Sequence, residues 1–196
     1  MTNRTPARSL EPTGTNARSS RTNARERIME AARAVAEEDG IGHLSLDAVA
    51  RRAGISKGGL LYHFSCTDAL MRALVEHHVM LAERAIDAAE ANAGSANALA
   101  SALVQTELDG LDSHRTPPSG ILAAFADNPA LFDPVRDHQR RIVGRVRASA
   151  GDKDLSLIAF LVLEGIKAHD VFELDYLSAA ERRHILETLV VCLRGS

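Results

Sequence analysis

The chain reads as an all-α protein, and three observations carry that reading. Apolar residues make up 45% of its 196 residues, yet aromatics reach only 4% and there is no Trp. Alanine and leucine dominate, with no long alternating run of β-branched residues. Apolar positions recur at three- and four-residue spacing between Ser, Asp or Asn starts and glycine stops, which is helix punctuation.

The elements follow in order. Residues 1–21 are rich in Thr, Asn, Ser, Arg and Pro and are expected to be a disordered basic arm, Arg4, Arg8, Arg18 and Arg21 facing only Glu11. A solvated tail is its simpler reading; an arm following a DNA minor groove is the other. A helix is expected over 23–39, buried along Ile28, Ala31, Ala32, Val35 and Ala36 and ended by Gly40 and Gly42.

The next segment, SLDAVARRAGISKGGLLYHF (45–64), is the most informative. Leu46, Val49, Ala50 and Ala53 fall at i, i+3, i+4 and i+7, one face of a helix. Ser45 can cap its start, and Gly54 supplies the positive φ of a tight turn. Ser56 caps a second helix, Lys57 to Phe64, and small Ala50 lets the two axes approach. This is a helix-turn-helix, whose second helix enters the DNA major groove. Gly58 and Gly59 are costly near a helix start, about 1 kcal/mol each relative to Ala, and make sense where another surface comes close to the backbone. Lys57 adds charge, while Tyr62 and His63 can reach phosphate or base edges. Leu61 and Phe64 are expected to anchor the helix inward. A plain helical hairpin explains none of these residue choices.

A long helix is expected over 67–92, marked on one side by Leu70, Leu74, His77, His78, Leu81 and Ala85. Another follows over 96–111, with Leu99, Leu103 and Leu108. Pro117-Pro118 marks a loop, and 121–126 a short helix. Asn128-Pro129 reads as a cap and first residue of a basic helix, 129–150, carrying Arg136, Arg140, Arg141, Arg145 and Arg147. Gly151 ends it, and Asp152 or Asp154 starts the next. Residues 155–172 are apolar nearly all round, as in a helix buried on most sides. Ser178 and Glu181 form a capping box for a last helix, 179–193. That helix has two apolar stripes: Ile185, Leu189 and Cys192, then Leu186, Val190 and Leu193. One stripe suits the core and the other a partner, so 155–172 and 179–193 are expected to form a homodimer surface.

Composition narrows the function. Residues 1–65 carry ten Lys+Arg against seven Asp+Glu, so the basic excess lies with the helix-turn-helix although the whole chain is at −3. No stretch is a membrane span and residues 1–22 lack a signal peptide's apolar middle, so a cytoplasmic protein bound to DNA is expected. Cys66 and Cys192 read as free thiols. None of the eight histidines pairs as H-x-x-x-H and no G-x-S-x-G or phosphate loop occurs, so no catalytic residue, metal site or cofactor is expected.

Ser45-Leu46-Asp47-Ala48-Val49-Ala50, Ala53-Gly54-Ile55-Ser56, Leu61-Tyr62-His63-Phe64 and Leu70 resemble the N-terminal domain of TetR-type transcriptional regulators, over about 24–74. Glu164-Gly165 resembles a feature of that family's second domain. The resemblance implies an Ω-shaped homodimer on a palindromic double-stranded operator. Each subunit would have a DNA-binding domain (22–66), then a connecting helix and a ligand-binding and dimerisation domain (67–196). It implies a repressor released by a small-molecule effector. The alternative is a regulator without such an inducer, responsive to redox state or metal or acting through a protein partner.

By position, Lys57, Gly58, Gly59, Tyr62 and His63 would carry DNA contact, with Ser45 and Ser56 at the caps and Thr67 at the backbone. The family usually places a polar cap and then a lysine where this chain has Cys66 and Thr67. Thr67 brings no charge, so a shallower salt dependence is expected. A pocket among the mid-domain helices is expected to be lined by Leu103, Glu107, Ile121, Phe125, Phe160, Glu164 and His169. The sparse aromatics point to an aliphatic or small effector rather than a large flat dye.

Overall fold

The computed structural model describes residues 16–112 and 120–195, and every regular element among them is helical. The order is α1 (Asn16–Asp39), a 3₁₀ turn (Ile41–His43), α2 (Leu46–Ala53), α3 (Lys57–His63), α4 (Thr67–Asn92), α5 (Ala98–Asp112), α6 (Ile121–Asp127), a 3₁₀ turn (Pro129–Phe132), α7 (Asp133–Ser149), α8 (Lys153–Val171) and α9 (Ala179–Gly195). The expected loop at Pro117-Pro118 lies outside the described residues, as does the expected arm up to residue 15. The rest of that arm is helical, because α1 begins at Asn16 rather than at 23. No Pro or Gly stands between Asn16 and Asp39, and polar residues alone do not stop a helix.

Two separate apolar cores organise the chain. The first joins Ile28, Ala32 and Val35 of α1 to Val49 and Ala50 of α2, Leu60 of α3, Phe64, and Leu70 and Ala73 of α4. The second gathers Ile86 of α4 with Leu103 and Val104 of α5, Ile142 and Val146 of α7, Leu163 and Ile166 of α8, and Leu186 and Leu193 of α9. Helix α4 belongs to both. Its buried residues are Leu70, Ala73, Val79 and Ile86, not the expected single side. His78, Leu81 and Ala85 are exposed. Leu70 and Ile86 lie 16 residues apart, roughly four and a half turns, so the two halves of α4 bury nearly opposite faces.

Three further expectations change. The basic helix starts at Asp133; Pro129 instead opens a 3₁₀ turn, and the Asn128 side chain donates to Asp68 Oδ2 of α4 at 3.2 Å rather than capping. Helix α8 is covered on one face only, through Ser156, Ala159, Leu163, Ile166 and His169. Its Ile158 and Leu161 are 54% and 67% exposed. In α9 the buried set is Leu186, Leu189, Val190 and Leu193, while Cys192 and Val191 face out. The Ser178–Glu181 capping box forms as expected: each residue's backbone N–H is bonded by the other's side chain. Asp152 caps α8 by accepting from Leu155 N–H at 2.9 Å.

One buried polar knot ties the second core together. Asn97, 1% exposed, donates from Nδ2 to the Leu193 carbonyl at 3.2 Å. Its Oδ1 accepts from Asp152 N–H at 2.8 Å and from the buried Ser156 hydroxyl at 3.4 Å. Beside it, Gly151 N–H donates to the Ala96 carbonyl, and a Cβ at Gly151 would stand 2.7 Å from Ala96 Cβ. Asn97→Ala leaves several groups unbonded at once, so it should cost about 2–3 kcal/mol in urea unfolding. A cost under about 0.5 kcal/mol, the size of an ordinary surface change, would show that the knot is not structural.

Candidate nucleic-acid interface

Local chemistry sets the reading pair. Ser45 Oγ accepts from Ala48 N–H at 3.2 Å to start α2. At the other end Gly54 sits at φ 64°, and Ile55 N–H reaches back to the Ala50 carbonyl at 3.0 Å. Arg27 of α1 donates to the Ala53 carbonyl at 2.6 Å, fastening the end of α2. Ser56 Oγ then accepts from Gly59 N–H at 3.1 Å to start α3. Both cap oxygens accept, so both hydroxyl protons stay available to an outside acceptor.

The rotation of α3 about its own axis decides what it presents. Leu60 is fully buried and Phe64 5% exposed, one turn apart on the inner face. The outer face therefore carries Lys57, Gly58, Leu61 and Tyr62, with Tyr62 73% and Leu61 42% exposed. This corrects the expectation that Leu61 anchors inward. Either adjacent leucine satisfies helical spacing with Phe64, and the cap-to-cap register selects Leu60. His63 is half-buried and meets Tyr62 edge-to-face at 5.3 Å. Lys57 Nζ lies 2.9 Å from Asp47 Oδ2, an exposed pair that another anion can replace at little cost. Thr67, half-buried, is the first residue of α4, and exposed Cys66 at its cap position makes no side-chain cap bond.

The two glycines differ in kind. A Cβ at Gly59 would meet Ser56 Oγ at 3.3 Å, so the cap itself favours glycine there. A Cβ at Gly58 would meet nothing within 4 Å. Nothing inside the molecule asks for glycine at 58, although it weakens the helix.

The expected pocket residues scatter. Leu103 is core, and Phe160 packs against the same core from its edge. Ile121 and Phe125 lie half-buried on α6, where Phe125 meets Phe132 edge-to-face at 5.1 Å. Glu164 accepts from Gln139 and from Lys167. His169, 4% exposed, contacts Tyr176 at 4.9 Å and keeps Nε2 without a hydrogen-bond partner. Glu107 of α5 faces this group, sensing the charges of Lys167, Asp170, Glu164 and Arg182. A cavity of about 150 Å³ lies elsewhere, between Glu90, Ser95–Ala100, Val146 and Ser149. Among the described residues no three His, Cys, Asp or Glu side chains converge as a metal site, and no helix is long and apolar enough to cross a membrane.

Gly58→Ala should stabilise the fold by up to about 1 kcal/mol in thermal unfolding while weakening DNA binding. Unchanged binding would mean that nothing approaches that backbone. Burial first, then Asp170 and Glu164 nearby, push the Glu107 carboxyl above its usual range against the pull of Lys167 and Arg182. A raised folded-state value means that Glu107 contributes stability below the ordinary carboxylate range and loses it as pH rises through the raised value. Glu107→Gln should therefore raise the urea midpoint at pH 7 but not at pH 4, and an equal shift at both would contradict this.

Comparison with known proteins agrees with this geometry. Residues 28–74 match the model of bacterial regulatory proteins of the tetR family, and residues 97–194 that of the tetracyclin repressor-like C-terminal domain. A TetR family member from Streptomyces coelicolor A3, SCO1917, is 27% identical, with TM-score 0.64 over 85% of this chain and 97% of its own. SCO4454 from the same organism, a TetR-family transcriptional regulator, is 18% identical, with TM-score 0.66 over 94% and 98%. The multidrug binding protein EbrR, complexed with ethidium, is 25% identical, with TM-score 0.60 over 85% and 97%. No curated protein matches in sequence. With one family model on the helix-turn-helix and a second spanning half the chain, the protein belongs to the TetR family of transcriptional regulators.

Proposed function

We propose that the protein is a homodimeric repressor that binds a palindromic operator through α3 and leaves it when a small molecule binds the second domain. The observation that carries the DNA reading is the outer face of α3: Lys57 and Tyr62 stand exposed on either side of Gly58, a glycine that the fold itself does not need. Ser45, Ser56, Gly59, His63 and Thr67 complete the contact set, the hydroxyls donating to phosphate and His63 to phosphate or a base edge. Residues 22–66 form the reading unit and 67–196 the connecting, effector and dimer unit, with 1–21 ahead of them.

Dimerisation through α8 and α9 is supported by what this chain leaves uncovered there, Ile158 and Leu161 on α8 and Val191 on α9. The effector reading draws on EbrR, a multidrug binding protein seen with ethidium and with malachite green. In this chain Leu103, Glu107, Ile121, Phe125, Phe160, Glu164 and His169 are the proposed lining, opened when the effector enters. The few aromatics favour an aliphatic or small molecule. The effector must bind the released state better than the operator-bound one, and α4 carries the difference because both cores hold it.

Selection of bound fragments from genomic DNA should return a palindrome whose half-site centres lie about 34–36 Å apart, or a multiple. Lys57→Ala and Tyr62→Ala should each lose most of that affinity while light scattering still reports a dimer. A chain that selects no sequence overturns the DNA reading, and an effector that binds tightly yet leaves operator affinity unchanged overturns the release mechanism.

A further inference from the structure

We infer that Leu61 reads a thymine methyl group in the operator, making it a specificity residue of α3. A single exposed leucine needs no explanation by itself. The surroundings of this one change that. Leu60 and Phe64 hold the inner face of α3 in the core, so Leu61 cannot turn inward without withdrawing Leu60 from it. Leu61 is 42% exposed between Gly58, one turn earlier, and Tyr62, the most exposed large side chain of α3. Gly58 leaves open space over the backbone on that side, so a base edge can come alongside the leucine instead of being held off by a neighbouring side chain.

What such a leucine meets in a major groove is limited by chemistry. Base edges there carry hydrogen-bond donors and acceptors, which leucine cannot use, and one apolar group, the C5-methyl of thymine. Covering any other edge with Leu61 would strip water from a polar atom without replacing its bond. An A·T pair with its thymine toward Leu61 is thus the only pair that repays the burial. Lys57, Ser56 and Ser45 set position on the backbone, while Leu61 contributes sequence.

The inference rests on the DNA reading proposed above, and the experiment separates the two. A half-site is first selected from random duplex DNA with the full-length protein; failure to select any sequence overturns the DNA reading itself. Each thymine of the half-site is then replaced in turn by deoxyuridine, which removes one methyl group and keeps the pairing. At one position per half-site the replacement should lower wild-type affinity about fourfold, the worth of one buried methyl. Leu61→Ala, checked by circular dichroism and melting temperature, should bind thymine and deoxyuridine equally there and keep its response elsewhere. If every replacement costs both proteins alike, if none costs the wild type anything, or if the half-site holds no thymine, Leu61 reads no methyl group and the inference falls.

Discussion

Helix α4 is the member on which the rest of the structure depends. Its 26 residues run about 39 Å at 1.5 Å per residue. Leu70 and Ala73 close the core under the reading pair, while Ile86 sits in the core of the second domain. Because these residues lie on nearly opposite faces, neither core can rotate or slide the helix without disturbing the other. A helix held in two well-packed cores passes displacement from one to the other, since close-packed interiors yield little. The second domain also touches the reading unit directly. Asn128, ahead of the 3₁₀ turn, bonds Asp68 in the first turn of α4, and Gly120, at the start of α6, lies close to Gly42 of the first 3₁₀ turn. A repacking of α5 to α8 would therefore meet the first core both through α4 and through these contacts.

Charge decorates this joint more than it holds it. Glu83, Asp87 and Glu90 of α4 meet His138, Arg141 and Arg145 of α7, and the Arg141 guanidinium, then His138, keep the Glu83 carboxyl below its usual range. Most of these side chains are partly in water, where such pairs are worth about 0–1 kcal/mol each and weaken with salt. Ile142 and Val146 on the same helix are buried almost completely, each worth roughly 1.5–3 kcal/mol. The apolar pair holds α7 on its neighbours, and the charges select its register. This also accounts for the arginines of α7. Arg136, Arg140, Arg141 and Arg145 each pair with an acid of this chain.

How much was legible before the structure follows from how local each signal is. The caps at Ser45, Ser56, Asp152 and Ser178 and the left-handed Gly54 are set within four or five residues, and all formed as read. The caps and the turn of the reading unit, built from such signals, were therefore legible at residue level. Burial direction was not, because it depends on partners distant in sequence. Leu60 and Leu61 have equal claims on the inner face until α1 and α4 are placed. The start of α1 lies earlier than its polar composition suggests, because no Pro or Gly interrupts the helix from Asn16. The apolar run of α8 points to a helix buried on most sides, and periodicity cannot tell cover by its own chain from a surface left for another. The effector region was the least legible, since its proposed lining comes from three helices, α5, α6 and α8, and no local pattern encodes their meeting.

These placements bear on how the protein divides grip from reading. A TetR-type surface with a lysine at position 67 would add one more charge to the phosphate contacts; Thr67 offers a hydroxyl. Lys57 already pairs with Asp47, so a phosphate contact there would be an exchange of partners rather than a new ion pair. Each missing charge removes about 0.9 from the slope of log affinity against log salt, a loss from the sequence-independent share of binding. What remains would depend more on groups that touch bases, and in the proposed contact set those on α3 are Tyr62, His63 and the apolar surface of Leu61 next to Gly58. A weaker hold on the backbone makes wrong sites cheaper to leave, which costs total affinity but raises the fraction of it that carries sequence. On the proposed contact set, the uncharged α4 start at Thr67 and the bare backbone at Gly58 would serve one design, an interface that discriminates by fit in the groove more than by attraction to the strand.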